Sequence, residues 1–150
     1  MTTVRRVGLT ELDPQETLAL LQRKTSAVMA FVDKNGYPRM VPCWFLWHED
    51  AFYTTSLADK FHVRAIRNNP RGSFCIEIED VSPTMRSNRQ VKGVGEFEII
   101  EDNVDEWGAR IRERYLGPAK AGTVPFGADR VVLRMKPTKI TAHGGDLILE

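Results

Sequence analysis

Residues 27–47 read Ala27-Val28-Met29-Ala30-Phe31-Val32, then Asp33-Lys34-Asn35-Gly36-Tyr37, then Pro38-Arg39-Met40-Val41-Pro42-Cys43-Trp44-Phe45-Leu46-Trp47. Both residues of Asn35-Gly36 tolerate positive φ, which a tight hairpin turn between twisted strands requires. The stretch therefore predicts strand, turn, strand, with the second strand running from Arg39 to Trp47. Pro42 cannot donate to a ladder, so that strand must lie at an edge or carry a bulge.

Outward from this hairpin the pattern stays β-rich. Upstream, Asp13-Pro14-Gln15-Glu16 combines a capping residue, a proline at the first helical position and an acid three places after the cap. It opens a short helix that ends near Lys24. Downstream, Glu49-Asp50 turns the chain into the aromatic and β-branched strand Ala51 to Ser56. A small helix follows, with Asp59 a candidate cap and Asn69-Pro70 its stop. Gly72 to Glu79 alternates, with Phe74, Ile76 and Ile78 on one side, and Gln90 to Ile100 is a further strand in which Gly93 and Gly95 predict a bend. Asn103 with Glu106 repeats the cap signature before a helical stripe of Trp107, Ile111 and Tyr115 that stops at Gly117-Pro118. Ala119 to Asp129 reads as a loop. Val131 to Met135 and Lys139 to Ala142 are the closing strands. Six or seven short strands and three short helices favour a closed antiparallel barrel over a βαβ sandwich.

Composition narrows the function. At 150 residues, 42% hydrophobic and 27% charged, the chain has the profile of one soluble domain covering residues 1–150. No apolar run approaches the roughly 20 residues of a membrane span. Met1 to Leu12 lacks the pattern of a signal peptide, so a cytoplasmic location is the default expectation. The net charge of +1, with both signs interspersed, argues against nucleic acid. Cys43 and Cys75 sit in apolar segments without metal-ligand spacing, so neither a metal site nor a disulfide is expected.

The stretch Thr54-Thr55-Ser56-Leu57-Ala58-Asp59-Lys60-Phe61-His62-Val63-Arg64 brings three hydroxyls from a strand end into the start of a basic helix. Hydroxyls and helix-start N–H groups donate hydrogen bonds, and Lys and Arg neutralise charge, so the place suits a phosphate. The same residues also fit a solvated strand end and helix face.

In these residues, with Pro38-Arg39-Met40-Val41, Phe52-Tyr53-Thr54-Thr55, Asn69-Pro70-Arg71 and Arg89-Gln90-Val91, the chain resembles the pyridoxamine 5′-phosphate oxidase-like superfamily, which includes deazaflavin (F420) dependent reductases. The resemblance runs from about Glu16 to Thr141. It implies a mainly β (α+β) fold, an antiparallel split β-barrel with a few short peripheral helices, working as a homodimer that shares each cofactor between two chains. It further implies an oxidoreductase that transfers hydride to or from a small or planar substrate. FMN is the expected cofactor and F420 the alternative, for which Arg64, Arg67, Arg86 and Lys92 would add positive charge.

Carried over by residue, Arg39, Met40 and Val41 would line the ring and ribityl chain, and Thr54, Thr55 and Ser56 the path to the phosphate. Lys60 would contact the phosphate, with His62 and Arg64 beside it. Gln90 would reach the cofactor from a neighbouring strand. His62 stands where many members carry a second lysine. Ala142-His143-Gly144-Gly145-Asp146 lacks the Trp and Arg of true pyridoxamine phosphate oxidases, so oxidation of vitamin B6 is not expected. No catalytic side chain is assigned. A non-catalytic flavin-binding or haem-binding protein is the alternative of another class, with His48, His62 and His143 as the axial candidates. Trp44, Phe45 and Trp47 fit either a ring-stacking wall or core.

Overall fold

The computed structural model describes residues 3–121 and 129–149, which form nine strands and four helices. In chain order they are β1 (Val4–Glu11), α1 (Pro14–Leu21), β2 (Ala27–Val32), β3 (Pro38–Cys43), β4 (Leu46–His48), β5 (Ala51–Leu57), α2 (Phe61–Asn68), β6 (Arg71–Val81), β7 (Met85–Ile100), α3 (Val104–Leu116), α4 (Pro118–Ala121), β8 (Arg130–Met135) and β9 (Lys139–Leu149). Every strand pairing is antiparallel. The strand β1 and the helix α4 were not expected, and the single strand expected from Arg39 to Trp47 is broken at Trp44-Phe45 into β3 and β4. Of the expected loop Ala119 to Asp129, the first residues belong to α4 and residues 122–128 lie outside those described.

The expected β2–β3 hairpin forms, with Ala27 opposite Cys43 and Val32 opposite Pro38, one residue off the register that a two-residue Asn35-Gly36 turn would set. Its connection is not a two-residue turn. Only Gly36 takes a positive φ, and the Asp33 carboxylate accepts the N–H groups of Asn35 and Tyr37 at 2.9 and 3.0 Å. An aspartate that bonds its own backbone builds a wider loop than the dipeptide alone suggests. The tight turn lies one hairpin later. Glu49 and Asp50 both have positive φ, 47° and 60°, and join β4 to β5 with His48 opposite Ala51.

Capping follows the sequence at α1, where Asp13 accepts the Glu16 N–H at 2.8 Å. Two other caps differ. Lys60, not Asp59, occupies the N-cap of α2, and Asn103 caps α3 in left-handed geometry without a side-chain bond.

The sheet path runs β3-β2-β6-β7-β8-β5-β4, and β9 pairs with both β7 and β1. β7 is the hub. On one side β6 follows it from Arg86 to Glu96, while on the other it pairs first with β9 up to Val94 and then with β8 from Phe97. The change of partner falls at Gly95, whose missing Cβ clears the backbone at Lys136 and Pro137, the bend expected there. β3 and β4 end the path and are joined by Trp44-Phe45 alone. No ladder connects them among the described residues, so the barrel is split and not closed.

The core is an aromatic column. Phe45 stacks on Phe52 (centroids 5.4 Å apart) and Phe52 on Phe74 (4.6 Å), all three fully buried. Phe74 lies directly opposite Gly93, where an added Cβ would meet its ring at 2.3 Å. Gly93→Ala should therefore overpack the column and cost about 1–3 kcal/mol. An unchanged urea midpoint in that variant would contradict this account of the column.

Candidate functional site

The split between β3 and β5 holds a cleft of about 310 Å³. β4 covers β5 only as far as Tyr53, so Thr54 to Leu57 present an edge on the side away from β8. Val41, Pro42, Cys43 and Trp44 from β3 and its exit form the facing wall, and Met29 lines the cleft from β2. Lys60 and His62 enter from α2, Gly108, Ile111 and Arg112 from α3, and Arg130 from the start of β8. No acidic side chain lines the cleft among the described residues. The lining thus combines cationic and hydroxylic groups with apolar and aromatic ones.

Local folding explains each position. A lysine at the N-cap cannot accept a hydrogen bond, and the first turn of α2 contains no acid. Its positive charge adds to the positive end of the helix dipole, an arrangement that favours an anion from outside. Ser56 Oγ lies 2.6 Å from His62 Nε2. Burial, and then the charge of Lys60, push the His62 pKa below its ordinary value, so the imidazole is held neutral. Thr54 is buried and donates to the Trp44 carbonyl at 2.6 Å, tying β5 to the exit of β3. Cys43 touches the same hydroxyl, and burial pushes its thiol up to about 11, so it stays protonated and is a poor nucleophile. Trp44 stacks on Tyr115 of α3 (4.6 Å, 7° between planes), which fixes the aromatic wall.

Of the ten residues singled out from the sequence, the cleft collects six: Val41, Thr54, Thr55, Ser56, Lys60 and His62. The other four lie outside it. Arg39 pairs with Asp33 at 3.4 Å and its guanidinium sits over Phe61, the first residue of α2. Met40 points away from the cleft, 74% exposed, because side chains alternate along β3. Arg64 donates to the Asp59 carbonyl at 2.7 Å. Gln90 stands on β7 between Glu77 and His143, its amide on Asn88 at 3.1 Å.

The further cations weighed for a longer ligand are dispersed. Arg67 pairs with Glu101 and Arg86 with Glu79, while Lys92 lies on β7 opposite Cys75. Two arginines at the cleft were missed. Arg130 Nη2 donates to Thr55 Oγ1 at 3.2 Å, and Arg112 lies one helical turn after Gly108, where an added Cβ would come within 3.2 Å of its Nη1. A glycine in mid-helix costs about 1 kcal/mol, so Gly108 was the available signal of a close approach.

The remaining aromatic and histidine readings divide. Phe45 and Trp47 belong to the core and only Trp44 reaches the cleft. His48 packs against α3: Arg110 Nη2 lies 3.2 Å from its Nδ1 and Trp107 packs edge-on against its ring. His143 is a β9 ladder residue between Glu11 and Gln90.

Residues 13–144 match the family model described as pyridoxamine 5′-phosphate oxidase, and the chain belongs to that family. No curated protein matches it significantly. Solved structures share the fold at low identity. A proposed 5-nitroimidazole antibiotic resistance protein of Bacteroides thetaiotaomicron superposes with a TM-score of 0.77 at 15% identity, covering 99% of this chain and 95% of that one. An FAD-binding protein of Mesorhizobium loti gives 0.67 at 20%, over 94% and 97%. A protein named F420 reductase gives 0.63 at 24%, over 85% and 98%. Among the described residues no helix is long and apolar enough to cross a membrane.

The neutral His62 sets a pH dependence. Its folded pKa lies below the unfolded value of 6.5, so between the two the unfolded chain binds the extra proton. This contribution to stability should be whole above the unfolded value and decline as pH falls through the window beneath it. Denaturation midpoints followed from about pH 8 to pH 5 should show a shallower acid decline in His62→Gln than in the parent. Identical slopes would mean that the imidazole is not held neutral.

Proposed function

We propose that the chain is an oxidoreductase that holds a flavin-type cofactor, FMN or a deazaflavin relative, by its phosphate in the β3–β5 cleft and passes hydride to or from a small or planar substrate. The observation that carries this reading is a cationic N-cap beside three hydroxyls in a cleft that no carboxylate lines among the described residues. Fold relatives named as FAD-binding and as an F420 reductase support a ligand of this class.

The residues suit the group. Lys60 and the first turn of α2 receive the phosphate, and Thr54 to Ser56 line the approach to it. Val41 and Trp44 supply the apolar wall on which a planar ring rests. When bound, the cofactor supplies the redox chemistry, and the protein's part is to position it and exclude water. That division fits a cleft whose thiol is held protonated.

The proposal includes a homodimer. Every described side chain of β1 is exposed, among them Val4 at 59% and Leu9 at 64%, and Met40 is bare on the edge strand. Exposed apolar groups on two strands favour burial against a second copy. Met40 and Gln90, outside the cleft of their own chain, would then serve a site completed by two chains.

Purified protein should retain flavin absorption through gel filtration, or regain it on titration. Lys60→Ala should weaken FMN binding about tenfold, roughly 1.4 kcal/mol. A colourless protein that takes up neither flavin nor deazaflavin would end this reading. Sedimentation at micromolar concentration should show a dimer, and a monomer alone would remove the shared site.

A further inference from the structure

The end of β5 offers basic groups on both of its faces. Successive side chains of a strand point to opposite sides. Phe52 belongs to the barrel core, whereas Tyr53 packs with Trp107 of α3, which assigns Thr54 and Ser56 to the first face and Thr55 and Leu57 to the second. On the barrel face, Ser56 meets His62, beside Lys60. On the α3 face the ladder sets Arg130 opposite Leu57, so its guanidinium reaches Thr55, and Arg112 arrives from α3 over the room left by Gly108. Both groups line the same cleft.

We propose that Arg112 and Arg130 form a second anion-binding subsite on the α3 face of β5, which takes a further phosphate or carboxylate of the cofactor tail whose first phosphate lies at Lys60. The inference rests on the cofactor reading above and narrows it. On one face Lys60 stands beside the Ser56–His62 pair, and on the other Arg130 is bonded to Thr55 with Arg112 alongside, its Nε donating to the Ala121 carbonyl at 3.0 Å; positive charge on both faces of the strand suits two anions better than one. Burial, followed by the charge of Arg112, pushes the Arg130 pKa down, which marks two guanidinium charges close together. The preferred ligand is then a flavin or deazaflavin with an extended polyanionic tail in place of the monophosphate FMN.

Titration of FMN, FAD and F420 by fluorescence tests the point. FAD or F420 should bind the parent at least tenfold more tightly than FMN, about 1.4 kcal/mol. Arg112→Gln and Arg130→Gln should each remove most of that advantage while altering FMN affinity less than about threefold, and Lys60→Ala should weaken all three ligands. A gain confined to FAD assigns a diphosphate to the subsite, and a gain confined to F420 assigns its carboxylated tail. Circular dichroism controls for folding, and Arg112→Gln decides alone if Arg130→Gln does not fold. Equal affinity for the three ligands, or arginine variants that weaken FMN as much as the longer ligands, would overturn the second subsite and leave the cofactor reading standing. Binding of none would overturn both.

Discussion

The split depends on how α3 grips the two residues that join β3 to β4. The Tyr115 hydroxyl accepts the Phe45 N–H at 3.1 Å and donates to the Thr25 carbonyl at 2.7 Å, while its ring lies flat on Trp44. Arg114 covers the Phe45 ring and donates to the carbonyls of Phe45 and Arg23. Backbone that would otherwise continue a ladder has its polar groups satisfied by side chains of a helix, which removes the usual penalty for leaving a sheet. With the link held, β3 and β5 stay apart and the edge of β5 remains open. The same helix contributes Gly108, Ile111 and Arg112 to the cleft, so the element that keeps the barrel open also lines the opening.

Electrostatics in that opening run against local stability. A lysine at an N-cap and two neighbouring guanidinium groups gather like charge, and the half-buried imidazole beside the lysine is held neutral. Elsewhere in the chain exposed arginines meet carboxylates, as Arg67 meets Glu101 and Arg134 meets Glu98. Sites that sacrifice some stability in this way are those at which a ligand restores the balance.

Legibility followed the range of the forces involved. Hairpins, alternation and the Asp13 cap rest on neighbours in sequence, so the β2–β3 pairing and the stripe of Phe74 and Ile76 could be read directly. The Asn35-Gly36 turn was misjudged because Asp33, two residues before Asn35, bonds the loop backbone itself. β1 was missed because its exposed residues follow no core-facing alternation and it pairs only with β9, far along the chain. At the site, Thr54 to His62 were visible as one continuous stretch. Arg112 and Arg130 were not, since they come from α3 and β8, separate elements much later in the chain. Arg39, Met40, Arg64 and Gln90 show the converse: the family pattern names them, yet strand alternation and local bonds hold them outside the cleft of a single chain.

The position of β9 shapes how the molecule is made. It is the last strand of the fold, yet it covers β1, the first, and the leading ten residues of β7. A chain leaving the ribosome therefore carries two uncovered strand margins until β9 emerges. Pairings so distant in sequence close slowly, and uncovered margins are the surfaces through which nascent chains associate wrongly. The demand for chaperone shielding should accordingly peak after the aromatic column has formed and before β9 is seated.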